Sequence, residues 1–515
     1  MKGLILQNSL LGTICLLAVV GCTSVLHARQ PKLYPTPGSK NINPDAPLTI
    51  TFDVTPTVGN SGQIRVYEAG SDRLVDVLDL SIPAGPTKNV DHKGTPPPYL
   101  STPYPYTSDN FTNANTKAGT PSGGALPNPD CYQLNIIGRF TDAFHFYPVM
   151  VRDNQAIITL HNNLLEYNRT YYIQIDQGVL TLPGKPFKGI RGNKQWRFST
   201  RPEPPIITNQ RITVSADGTG DFNTVQGALD FIPDHTPHRT TIFIKNGTYH
   251  EIVYFRNKHN ISLVGEDREK TVVCYANNEV FNPHPINIST NEWPGTFPSR
   301  RAVFMADNAR GIQLSNFTIR NLSKGQAEAL LMAGSENLAY RMSIYGSGDA
   351  LQTNGSAYLK ECLIEGDGDT YLGRGPVFFD HCTIRSHGVF AWVRNTQANH
   401  GAVFFRCTLQ ATGNEETEIA RAPTNKGQDY PYCEAVLLQC KLSGISNVGW
   451  GPVGGDTPHV HYWEWESTHL SDGLPVNVSQ RHPVSRQLTL PNDADIIDNY
   501  SKPSFVLDGW HPKLP

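Results

Sequence analysis

Two short glycine-framed acidic turns, Gly346-Ser347-Gly348-Asp349 and Gly366-Asp367-Gly368-Asp369, recur 20 residues apart. If that interval is one turn of a repeat, Asp349 and Asp369 stand on neighbouring strands about 4.8 Å apart and face solvent on one side. Two carboxyls that close do not both ionise easily, so one keeps its proton while the other is anionic. An acid beside a nucleophile is the outcome. The same residues also suit plain turns in which Asp caps backbone amides, and the second turn suits a calcium loop. The pair alone does not choose among these.

The elements that must position the pair are legible as a ladder. Aligning segments on one apolar position followed two residues later by an aliphatic one gives six rungs: Phe317/Ile319, Met342/Ile344, Cys362/Ile364, Cys382/Ile384, Cys407/Leu409 and Cys440/Leu442. The intervals from Phe317 through Met342, Cys362, Cys382 and Cys407 to Cys440 are 25, 20, 20, 25 and 33 residues. Period-two alternation at such steps is what stacked β-coils with variable loops produce. Asp349 and Asp369 each lie seven residues after their rung, at Met342 and Cys362. The reading is therefore all-β, with residues 206–515 as a right-handed parallel β-helix. In this ladder Cys362, Cys382, Cys407 and Cys440 fill an interior column with Phe and Met, as buried thiols rather than disulfides. Whether any two of Cys131, Cys274 and Cys433 meet is left open by the sequence.

Residues 30–205 alternate apolar and polar residues in shorter runs separated by Gly, Pro, Asn and Asp. The runs from Leu48 to Phe52, Gln63 to Tyr67, Ile157 to Leu160 and Tyr171 to Ile175, closed by Trp196 to Thr200, read as a β-sandwich resembling bacterial Ig-like domains. Asp91 to Pro129 is rich in Pro, Thr, Ser, Asn and Gly and is expected to be a long insertion. Arg201-Pro202-Glu203-Pro204-Pro205 is stiff and extended, and marks the boundary.

Composition removes other classes. With 43 basic against 46 acidic residues and 17% charged residues in a chain of 515, there is no basic field for a nucleic-acid backbone. No Cys/His set has zinc spacing, so neither metal nor cofactor is expected. Residues 1–28 have the order of a bacterial export signal: Lys2, an apolar run from Leu10 to Val20, then Val19-Val20-Gly21-Cys22, which resembles a lipobox with Cys22 as the lipidated residue. The other cleavage expected is after Ala28. The expectation is an exported, monomeric outer-membrane lipoprotein, periplasmic or at the cell surface, that meets the membrane only through that anchor, or alternatively a secreted protein.

From Ile212 to beyond Trp450 the chain resembles the pectin methylesterase (pectinesterase) family of β-helical carbohydrate esterases. Val214-Ser215-Ala216-Asp217-Gly218-Thr219-Gly220-Asp221-Phe222 with Thr224-Val225-Gln226 is similar to the family's opening strand and capping helix, and Gly247-Thr248-Tyr249-His250-Glu251 to its G-x-Y-x-E motif. Gln326-Ala327-Glu328-Ala329-Leu330 matches Q-A-V-A-L save one residue. Gly348-Asp349-Ala350-Leu351 stands where the family has Q-D-T-L, Asp369-Thr370-Tyr371-Leu372-Gly373 where it has D-F-I-F-G, and Ile419-Ala420-Arg421-Ala422-Pro423 where it has L-G-R-P-W.

The resemblance implies that Asp369 attacks a galacturonate methyl ester, that Asp349 protonates the departing methoxide, that Arg421 pairs with Asp369 and orients it, and that Gln326 donates to the oxyanion. Trp450 and Arg394 are the side chains expected to meet a pectic substrate, while Tyr249 and Glu251 are assigned to coil structure. Two departures stand out. Gly348 replaces the family's second oxyanion glutamine, with Gln352 and Arg394 as nearby replacements, and Thr424 replaces the aromatic residue of L-G-R-P-W. Activity on another ester, acetyl or acyl thioester, and a non-catalytic polysaccharide-binding β-helix are the competing readings. A polysaccharide lyase on the same fold lacks its usual calcium-binding Asp cluster.

Overall fold

The computed structural model describes residues 30–87, 132–138, 143–207, 209–282, 300–425 and 427–515. The leader with Cys22, the stretch from Asp91 to Pro129 and Cys131 lie outside the described residues.

Alternation of period two builds the first layer pair. In Leu48–Thr51 and Gln63–Glu68 every second residue, Leu48, Ile50, Ile64 and Val66, is fully buried. Lys32–Tyr34, Leu48–Thr51, Gln155–Ile158 and Val149–Arg152 form one four-stranded sheet; Arg197–Ser199, Thr170–Ile175, Gln63–Glu68 and Arg73–Asp79 form another. Neighbouring strands are antiparallel in both. The two sheets share a core of Leu48, Ile50, Ile64, Val66, Ile158, Tyr171, Ile173, Trp196 and Phe198.

From Arg211 onward every strand pair is parallel. A 17-stranded sheet and a nine-stranded sheet climb together. The larger contains two columns, because one long strand, Leu351–Lys360, pairs with Tyr371–Arg374 through its first half and with Val377–Asp380 through its second. The nine-stranded sheet carries the ladder read from the sequence, in register Ile319↔Ile344↔Ile364↔Ile384↔Leu409↔Leu442. Each coil is too thin to bury an apolar face alone, and stacking makes one continuous core. Cys362, Cys382, Cys407 and Cys440 are buried free thiols in that core. Cys274 and Cys433 are also free and buried, so they do not pair.

One end of the stack and one of its sides are covered. At the start, the helix Val225–Phe231 is capped by Thr224, whose hydroxyl accepts from the Gly227 amide at 3.0 Å. Glu251 accepts from the Val225 and Gln226 amides at 2.8 and 2.9 Å, while Tyr249 donates to the Lys245 carbonyl at 2.8 Å. Asp45, from the antiparallel region, accepts from the amides of Asn223 and Thr224 and from the Thr224 hydroxyl at 2.9, 2.8 and 2.8 Å. Ile137, Phe144 and Met150 pack into the solenoid core rather than the sandwich core. Along the side the helices Ala494–Tyr500 and Pro503–Val506 lay Ile497, Tyr500 and Val506 over a column of Leu338, Tyr358, Phe378, Val403 and Val436 on the outer face of the second column. No helix among the described residues is long and apolar enough to cross a membrane.

Candidate active site

Asp349 and Asp369 end equivalent turns on successive coils. Each lies two residues before a strand, and those strands pair as Leu351↔Tyr371. The Ser347-Gly348 turn is tied to the coil below by two backbone hydrogen bonds between Ala327 and Ser347, at 2.9 and 3.0 Å. Glycine lets the turns stack. A Cβ at Gly366 would lie 2.8 Å from the Gly348 carbonyl oxygen, and one at Gly348 would lie 2.7 Å from that of Gly325. Gly348 also has φ +66, a left-handed conformation that side chains rarely adopt. Asp369 itself sits in that region, at φ 43.

The two carboxyls have different surroundings. Arg421 Nε donates to Asp369 Oδ1 at 2.7 Å, and its second nitrogen bonds Oδ2, so the guanidinium grips both oxygens. Asp349 is buried, with 7% of its surface exposed, and accepts from Arg301 at 2.6 Å. Burial pushes the Asp349 carboxyl up to about 7. Arg301 and Arg394 oppose that rise, whereas the charges of Glu328 and Asp369 add to it. Two carboxyls whose environments separate them in this way can divide acid and nucleophile roles.

Outward-facing side chains on the next strands form one column, Leu331↔Gln352↔Leu372↔Trp392↔Arg421. Trp392 is half-buried, with the Arg394 and Arg421 guanidinium carbons each 4.4 Å from its ring centre. Gln326 is exposed on the coil beneath Gly348, and its Cα would lie 3.5 Å from a Cβ built there. The fold thus brings Asp349, Asp369, Arg421, Gln326 and Arg394 to one side of the solenoid, with Gln352 buried in the same column. Trp450 is not there. It is fully buried, stacked on Tyr462 with ring centres 4.8 Å apart, and a ring with no exposed face cannot receive a sugar.

A family model for pectinesterase matches residues 211–491, more than half of the chain. The chain belongs to the pectinesterase family. Among curated pectinesterase relatives, the Arabidopsis thaliana protein named probable pectinesterase/pectinesterase inhibitor 42 is 28% identical over 274 residues, 50% of this chain and 49% of that one. Pectinesterase 31 of Arabidopsis thaliana is 29% identical over 293 residues, 55% of this chain and 89% of that one. The chain spans about half the length of several of the curated pectinesterases it matches. Among solved structures, pectin methylesterase from carrot has a TM-score of 0.49 and 23% identity, covering 60% of this chain and 95% of that chain.

Three residues of this candidate site escape the sequence reading: Arg301, Glu328 and Trp392. Glu328 carried a signal, being the single odd residue of its motif. Trp392 did too, since Gln352, Leu372 and Trp392 repeat the 20-residue step of the aspartates. Arg301 has only its neighbour Arg300 and an apolar run behind it, and nothing in that pattern points to Asp349.

Proposed function

We propose that this chain is a carbohydrate esterase that hydrolyses methyl esters of galacturonate in pectin. The observation that carries the reading is the unequal pair: Asp369 gripped on both oxygens by Arg421, beside Asp349, whose carboxyl titrates near neutrality.

Asp369 attacks the ester carbonyl, and its carboxylate oxygen forms a bond to that carbon while the carbonyl electrons move to oxygen. Gln326 donates to the resulting oxyanion. When the tetrahedral centre collapses, the C–O bond to methoxide breaks and Asp349 gives its proton, so methanol leaves and an acyl-enzyme anhydride remains. Asp349, now a carboxylate, takes a proton from water. The hydroxide adds to the acyl carbon, Asp369 departs as a carboxylate, and Asp349 ends protonated. Arg421 keeps Asp369 aimed through both steps. Trp392, partly exposed beside Arg394 and Arg421, rather than the fully buried Trp450, is the aromatic side chain that a sugar could meet.

The setting is proposed in the same terms. The antiparallel layers of residues 30–205 serve as an Ig-like accessory module, the protein is exported from a bacterium, Cys22 anchors it to the outer membrane, and it works as a monomer. The experiment is methanol release from methylated pectin by the purified protein, alongside Asp369→Asn and Asp349→Asn. Wild-type activity lost in both variants supports the roles; equal release by all three overturns them. Acetate release in place of methanol favours an acetyl ester, a reading to which the side-chain-free Gly348 lends weight.

A further inference from the structure

Each aspartate is held by an arginine two coils away, on opposite sides of the pair. Arg421 reaches back to Asp369 across the strands Tyr371↔Ala391↔Ala420. Arg301 reaches forward to Asp349 from just before the strand Phe304–Arg310, whose first residue pairs as Phe304↔Leu330↔Leu351. The second clamp differs in one respect. The coil between its members supplies Glu328, fully buried, which accepts from Arg301 Nε at 2.6 Å, and Glu279 lies 3.6 Å from a third guanidinium nitrogen.

We infer that Arg301 and Glu328 are positioning residues for Asp349: Arg301 fixes the direction of the acid, and Glu328 competes for the cation so that Asp349 keeps its proton at the start of the cycle. This rests on the esterase reading and deepens it. The Arg301 guanidinium divides its donors: Nε bonds Glu328 at 2.6 Å, one terminal nitrogen bonds Asp349 at 2.6 Å and the other faces Glu279 at 3.6 Å, so Asp349 receives only a share of the cation. The other charges facing Asp349 are Asp369, which repeats the demand, and Arg394 and Arg421, which lie towards the cleft. Burial pushes the Glu328 carboxyl up as well, with Arg301 opposing that rise, so the two acids compete for one guanidinium, and Asp349 is the one of them whose turn stacks on that of Asp369. The sequence departure fits: Glu328 occupies the valine position of Q-A-V-A-L, where an apolar residue would leave Arg301 to Asp349 with less competition. Burial and the Glu328 charge both raise the Asp349 carboxyl, and Arg301 alone lowers it less than they raise it.

The two residues have opposite signatures. Glu328→Gln keeps the shape and removes a negative charge, so Asp349 ionises more easily, and the alkaline limb of kcat/KM moves to lower pH by on the order of one unit with KM unchanged. Arg301→Gln removes the cation and moves the limb to higher pH. Arg301→Lys keeps the charge without the fork, so the limb stays near its place while kcat falls. Thermal unfolding by circular dichroism verifies that each variant is folded. The same shifts are read without substrate from the carboxyl-carbon NMR titration of Asp349 in the full chain carrying labelled aspartate, the signal being the one missing in Asp349→Asn. A folded Glu328→Gln protein with an unmoved Asp349 titration overturns the inference. Absence of methanol release from wild type overturns the esterase reading, and the titration still decides the role of Glu328.

Discussion

Arg421 holds both oxygens of Asp369 from two coils further along the solenoid. Two strand spacings are about 10 Å, a distance that a planar guanidinium on a long stem can cross while still presenting two donors. Lysine would keep the charge and lose the fork. Arg421→Lys is therefore expected to lower kcat by about 10²-fold through loss of aim, with a much smaller change in KM. Steady-state kinetics on methylated pectin check this, and a variant with wild-type kcat would remove Arg421 from the catalytic arrangement.

The acid sets the alkaline side of the pH profile. Asp349 must be protonated to release methoxide, and its carboxyl titrates near 7. Activity limited by the first half of the cycle should fall as pH rises through that value. A kcat/KM profile that is flat from pH 5 to 9, a span of about two units on either side of that value, would contradict the assignment.

The same raised carboxyl has a thermodynamic counterpart. Its folded-state value lies above the ordinary 3.8, so the native state binds this proton more tightly than the unfolded chain does. Stability from this group is complete at low pH and is lost as pH rises through about 7. Asp349→Asn, which never needs to be charged, should melt roughly a degree or two above wild type at alkaline pH, with the gap closing in acid. Scanning calorimetry across pH is the measurement.

Restoring the family's glutamine at Gly348 should fail. Any Cβ there meets the Gly325 carbonyl oxygen at 2.7 Å on a backbone with φ +66. Gly348→Gln is expected to cost about 1–3 kcal/mol of stability and to lower activity rather than raise it. Chemical denaturation with a parallel activity assay would show the opposite pattern if the turn could relax.

The two tryptophans should separate cleanly. Trp392→Ala is expected to raise KM with stability little changed, because the side chain is only partly buried and packs on two arginines of the site. Trp450→Ala empties a buried site and should cost about 3–5 kcal/mol, whatever happens to KM. Equal effects of the two substitutions on KM would reverse that distinction.

What could be read from sequence follows from how each feature is encoded. The ladder was legible because a parallel solenoid writes its register as a repeat: Ile319, Ile344, Ile364, Ile384, Leu409 and Leu442 appear in both. Asp349 and Asp369 inherited that legibility from the equal lengths of their coils. Trp450 shows the limit, since a Gly-Trp pair looks the same whether the ring faces a cleft or, as here, Tyr462. The contact of Arg301 with Glu328 and Asp349 was out of reach because it spans the coil whose start lies in the long stretch between Tyr275 and Phe304, where no rung marks the step.

Asp45 fixes the two residues that lead into the first helix of the solenoid, Asn223 and its capping Thr224, and it comes from the antiparallel region of the chain. Trimming the protein to its repeat region would therefore release the capping Thr224 from its anchor and uncover Phe144's resting place among the first coils.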